Sequence, residues 1–109
     1  MKDTPAMNET ATKSDLAIFQ KQVLRWSSIT FPLETPESKL AHLKREVQEL
    51  SEDIDDETEM ADILILLVGI AEMKGVDLLA AAKRKMCTNL GRTWSQPDEE
   101  GVYHHLTEG

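Results

Sequence analysis

An all-α fold, a four-helix bundle, follows from three features of the sequence. Apolar residues recur at helical spacing in successive stretches, capping residues and prolines punctuate those stretches, and β-branched residues form no alternating runs that would build a sheet. Forty per cent of the 109 residues are apolar and 29% are charged, the balance of a globular chain. A chain of this length forms one domain with a thin core, which burial against a second subunit would thicken.

Residues 1–13 show no periodicity, and a flexible N-terminus is expected there. Ser14 is a good N-cap, with Asp15 in the first turn, and Leu16, Phe19, Val23 and Trp26 mark the first helix. That helix is expected to stop before the Ile29-Thr30-Phe31-Pro32 segment, because proline disfavours helical backbone in the residue before it. Thr35-Pro36 opens a second helix, a cap residue followed by proline at the first helical position. Its expected apolar stripe is Leu40, Leu43, Val47 and Leu50, with His42, Glu46 and Glu49 on a neighbouring face.

Ser51 to Asp56 reads as a turn, and a third helix is expected from near Asp56 to about Lys74, with Gly75 just past its end. The middle of that helix, Ile63 to Ala71, is apolar nearly all round, so it is expected to dimerise the protein as well as pack on its own bundle. A fourth helix starts after Asp77, runs through LLAAAKRKMCTNL and ends by Gly91. The helical domain is thus 14–94, with 95–109 a mostly irregular tail.

The formal net charge of −8 argues against a nucleic-acid backbone or an anionic membrane as partner, but allows a small phosphorylated ligand held through metal ions. Cys87 is the sole cysteine, so no intrachain disulfide forms, which suits a reducing cytosol. The first fifteen residues are polar throughout, and the longest apolar run is nine residues, far short of the roughly 20 that span a bilayer. These features lead us to expect a soluble, cytoplasmic protein.

The chemistry is concentrated between Glu46 and Asp62, where nine of seventeen residues are acidic and none is basic. Glu46 and Glu49 are three apart, as are Glu59 and Asp62, so each pair shares a helix face. Both cross-pairs have their midpoint at Ile54, so a helical hairpin centred there brings four carboxylates to one seam. An acidic run is often just a solvated corner, but like charges so converged repel unless a cation sits among them. Asp62, followed at once by the apolar run, looks buried. All the donors are oxygens, which suits Mg²⁺ or Mn²⁺. An EF-hand is excluded because Thr58 and Leu64 stand where its loop needs glycine and glutamate.

A second constellation is Lys85, Asn89, Arg92 and Trp94. A guanidinium and an ammonium aimed at one place suit phosphate oxygens, although cations near a helix C-terminus also merely complement its dipole.

HLKREVQEL, ETEMADILILLVGIA and KMCTNLGRTW together resemble the all-α MazG-like nucleoside triphosphate pyrophosphohydrolases, and within them the small dATP/dGTP diphosphohydrolase branch of bacteria and phages. The resemblance covers about Phe19 to Trp94. Arg45 stands where many members carry a further glutamate, and the spacer between Glu49 and Glu59 is short, as in the small branch.

The resemblance implies that Glu46, Glu49, Glu59 and Asp62 ligate Mg²⁺, with Mn²⁺ able to substitute. It makes Glu46 and Glu49 the catalytic carboxylates, and Lys85, Asn89 and Arg92 the phosphate-binding set. It further implies cleavage of a purine nucleoside triphosphate (dGTP, GTP or dATP) between the α- and β-phosphates, in a homodimer or homotetramer of the bacterial or phage-infected cytosol. Trp26, His42 and Trp94 are candidates for the nucleobase. Trp26 equally suits core packing, Trp94 better suits pinning the tail, and His42 suits either contact with substrate or a hydrogen bond to a ligating group. The rival readings are a pyrophosphohydrolase for pyrimidine or modified nucleotides, and a non-catalytic helical dimer whose acids bind a partner.

Overall fold

A computed structural model of the protein describes residues 14–107, so the expected flexible stretch 1–13 and the last two residues of the expected tail lie outside it. Four helices follow in order: α1 (Asp15–Thr30), α2 (Pro36–Glu52), α3 (Glu57–Met73) and α4 (Leu78–Leu90). Among the described residues there is no strand, only an isolated antiparallel bridge between Trp94 and His105.

Local chemistry sets most helix ends. The Ser14 hydroxyl accepts the Ala17 N–H at 3.0 Å and opens α1. Contrary to expectation, α1 continues through Ile29 and Thr30. Pro32 restricts only the residue before it, and Phe31 still donates its N–H to the Ser27 carbonyl at 2.7 Å.

Thr35 and Ser38 form a reciprocal capping box, each side-chain oxygen accepting the other's backbone N–H at 3.0 and 2.9 Å, with Pro36 at the first helical position. α2 also runs two residues into the expected turn, to Glu52, so the reversal itself takes only 53–56. The Asp56 side chain then caps α3, accepting from the Thr58 hydroxyl at 2.6 Å and the Thr58 and Glu59 N–H groups at 2.9 and 3.3 Å. The Thr58 hydroxyl, then the Glu59 N–H, hold the Asp56 carboxyl below its usual range. α3 ends in a Schellman motif: Gly75 adopts φ +71°, while Val76 and Gly75 donate to the Ala71 and Glu72 carbonyls at 2.8 and 3.1 Å.

The backbone groups into two compact units, Met1–Leu79 and Ala80–Gly109. In the first, α3 packs against both α1 and α2 around Val23, Leu66, Val68 and Ala71. Gln20 of α1 is 1% exposed and ties down the chain after α3: its amide donates to the Val76 carbonyl and to Glu72, and its oxygen accepts the Leu78 N–H.

Only half of the expected apolar stripe of α2 turns inward, for Leu43 and Leu50 are half-buried. Leu40 and Val47 are exposed, whereas Lys39 and Glu46, seven residues apart, are buried. The polar face turns inward because it lines a cavity and an acid cluster described below. On α3, Met60, Leu64 and Leu67 are exposed despite the apolar surround.

In the second unit the tail folds back on itself. Ser95 and Leu106 donate N–H groups to the His104 and Thr93 carbonyls, and Gly101 turns the chain with φ +83°. The His104 ring sits 2.8 Å from Asp98 and, with the Val102 N–H, holds that carboxyl below its usual range.

Candidate active site

α2 and α3 run back from their short turn with glutamates on facing sides. Glu46, Glu49 and Glu59 each offer one carboxylate oxygen, and these oxygens lie within 4.8 Å of one another. Glu46 is buried, Glu59 half-buried and Glu49 exposed. The three negative charges destabilise one another. The Glu49 carboxyl, then partial burial, then Glu46 push the Glu59 carboxyl up to about 8. The raised value reflects negative charge that nothing in the cluster balances and that a bound cation would relieve. An all-oxygen donor set of this kind fits a hard divalent ion.

Asp62 stands outside that trio, and it is exposed, not buried as its neighbours in sequence suggested. It shares a face of α3 with Glu59, but its side chain is a methylene shorter than a glutamate's. With Glu46 it lines a cavity of about 210 Å³ that adjoins the cluster.

Val23, Trp26, Phe31, Ile65 and Leu66 give this cavity its apolar walls. His42, Glu46 and Asp62 are polar residues of its lining, and Ser27, Glu34 and Lys39 add a hydrogen-bonded set. Trp26 is 53% exposed, so its indole belongs to the cavity wall and not to the core, and it meets Phe31 edge-on at 5.4 Å. His42 Nε2 is 3.8 Å from Glu46, an electrostatic contact when the ring is protonated and too long for a hydrogen bond.

Sequence reasoning passed over Ser27, Glu34 and Lys39. Lys39 is 2% exposed, and its ammonium donates to Glu34 at 2.7 Å and to the Ser27 hydroxyl at 3.2 Å. The available signal was Gly69, a glycine inside an apolar helix, which marks close approach. A Cβ there would lie 3.3 Å from Lys39 Nζ.

The phosphate-binding candidates lie in the second unit. Arg92 Nη1 reaches the Asn89 side-chain oxygen at 3.5 Å, the Trp94 indole donates to the Asn89 carbonyl at 3.3 Å, and Lys85 is exposed. Trp94 also meets the His105 ring edge-on at 6.2 Å.

A family model described as dATP/dGTP pyrophosphohydrolase matches residues 19–108. The chain belongs to the dATP/dGTP pyrophosphohydrolase family. A protein of Salmonella phage PMBT28 named dATP/dGTP diphosphohydrolase is 37% identical over 95 residues, which cover 86% of this chain and 32% of that protein. The chain thus spans about a third of that relative's length. A protein of the same name from Cyanophage S-2L is 32% identical over 91 residues, covering 82% of this chain and 87% of the other. Among solved structures, the Cyanophage S-2L MazG-like pyrophosphohydrolase bound to dGDP and three catalytic Mn²⁺ ions per active site superposes with a TM-score of 0.77. It is 30% identical, and the match covers 87% of this chain and all of that one. The fold of this family member is accordingly all-α and MazG-like. Among its described residues, no helix is long and apolar enough to cross a membrane.

Proposed function

We propose that the chain is a divalent-metal-dependent hydrolase that cleaves a purine nucleoside triphosphate, dGTP, GTP or dATP, between the α- and β-phosphates. The products are a nucleoside monophosphate and pyrophosphate. The observation that carries this reading is the convergence of Glu46, Glu49 and Glu59 beside a cavity with an aromatic wall. The names of the phage relatives, and the dGDP and Mn²⁺ of the cyanophage structure, support it.

Glu46, Glu49 and Glu59, joined by Asp62, would hold Mg²⁺, with Mn²⁺ able to substitute. Such ions, when bound, neutralise phosphate charge and lower the pKa of water. Glu59, whose carboxyl its neighbours push up, would serve as a ligand in its deprotonated form. Glu46, buried on the cavity side, is the candidate for orienting or deprotonating the water that attacks the α-phosphorus. Asn89 and Arg92, already in contact, and Lys85 are the candidates for the phosphate oxygens. Trp26 offers a face for the base, with His42 between base and phosphates; Trp94 remains a second candidate. The exposed Met60, Leu64 and Leu67 stripe suits a homodimer or homotetramer, in the cytoplasm of a bacterium or phage-infected host.

The test is a panel of triphosphates incubated with and without Mg²⁺ or Mn²⁺, with products identified. Metal-dependent release of monophosphate and pyrophosphate is expected. Diphosphate with orthophosphate, or no turnover, contradicts the proposal.

A further inference from the structure

We propose that Lys39 and Glu34 read the hydrogen-bonding edge of the bound base, and that this pair favours guanine over adenine. The inference rests on the hydrolase reading above and adds to it the groups that choose the substrate.

Three observations carry it. Lys39 is a buried charge, and an ion pair used only for packing is commonly matched or bettered by apolar residues of similar volume. Its ammonium has three donors, two of which go to Glu34 and Ser27, and it lines the cavity. The third donor is available to a ligand.

Position is the second observation. Lys39, His42 and Glu46 line one cavity at i, i+3 and i+7 on α2. At about 1.5 Å rise per residue, Lys39 and Glu46 stand roughly 10 Å apart along the helix, the order of a nucleoside's span from base edge to α-phosphate. A nucleotide with its phosphates at Glu46 and Glu49 thus brings its base to Lys39 and Glu34, beside the Trp26 and Phe31 rings.

The third is chemical match. Guanine presents O6 as an acceptor and N1–H with its 2-amino group as adjacent donors, so an ammonium serves the first and a carboxylate the other two. Adenine offers this pair one donor and one acceptor on the same edge. In the same pose adenine sets its donor against the ammonium and its acceptor against the carboxylate, so guanine makes three charge-assisted hydrogen bonds where adenine makes none. Gly69 completes the device, since its missing side chain lets the lysine lie against α3.

The experiment compares kcat/KM for dGTP, dATP and dITP with Mn²⁺, in the wild type and in Glu34→Gln and Lys39→Met, with Tm measured for each. The wild type is expected to prefer dGTP, and dITP, which lacks only the 2-amino group, to fall about tenfold or more below it. Each substitution is expected to narrow the dGTP-to-dATP ratio about tenfold, beyond any loss common to all three. The dITP arm uses unaltered protein, so it decides even if a variant fails to fold. Equal rates on dGTP and dITP, a preference for dATP, or variants that slow all three nucleotides alike overturn the assignment while leaving the hydrolase reading intact. No turnover of any triphosphate by the wild type overturns both.

Discussion

The Lys39 ammonium lies 3.3 Å from the place where a Cβ on Gly69 would sit, so α2 and α3 meet through a lysine laid against a glycine. Gly69→Ala sets two effects against each other. Alanine favours the helix by about 1 kcal/mol, while overpacking a filled site costs about 1–3 kcal/mol. Lys39 is held by Glu34 and Ser27, so it does not move away freely. The expected outcome is a net loss of about 1 kcal/mol in urea denaturation, with a lower kcat/KM from the displaced ammonium.

Gln20 supports the turn after α3 in the same indirect way. Its amide serves the Val76 carbonyl and the Leu78 N–H at once, from a fully buried position. Gln20→Ala removes both partners and leaves a void, and should cost about 2–4 kcal/mol of stability, read from the denaturation midpoint at constant m.

The acid cluster predicts an unusual pH dependence. The folded-state pKa of Glu59 is raised to about 8 from an ordinary 4.5, so the folded protein binds this proton more tightly than the unfolded chain. The stability linked to it is fully present below about pH 4.5 and is lost as pH rises through about 8. Without metal, this group's contribution to Tm should fall across that window. Saturating Mn²⁺ replaces the proton and should remove the fall, which Glu59→Gln should also remove without metal. Thermal scans across pH in both states check this.

Removing a single carboxylate separates chemistry from folding. Glu49 is exposed and repels its neighbours, so Glu49→Gln should leave Tm without metal unchanged or higher. Turnover should drop by at least about 100-fold, the upper range seen even for groups that only support metal ligands. Asp62→Ala should also lose turnover while remaining folded, though Asp62 lies outside the trio. Circular dichroism alongside the pyrophosphate assay distinguishes lost chemistry from lost structure.

The starts of α1, α2 and α3, the end of α3 and the carboxylate trio were legible in the sequence because local chemistry fixes them. Ser14, Thr35-Pro36, Asp56 and Gly75 each act within a few residues. The spacing of Glu46, Glu49 and Glu59 needed only a short turn between two helices to converge. Periodicity placed Leu43 and Leu50 correctly on the inner side of α2 but missed that Lys39 and Glu46, not Leu40 and Val47, complete that face. A hydrophobic stripe assumes a solid apolar interior, whereas α2 sets Lys39 and Glu46 on the lining of a largely apolar cavity and leaves Leu40 and Val47 outside. The same assumption made Asp62 look buried. Lys39 and Glu34 were missed because a pair five residues apart falls on no single helix face, and the burial of Lys39 depends on Ser27 of α1 and Gly69 of α3.

The most direct test is calorimetric titration of Mn²⁺ into the wild type and Glu59→Gln at pH 7, in buffers of different ionisation enthalpy. The wild type should bind Mn²⁺ with release of protons, because the Glu59 carboxyl is raised in the metal-free cluster. Glu59→Gln should bind far more weakly and release none. Equal Mn²⁺ affinity in the two proteins would contradict the claim that these carboxylates form the metal centre.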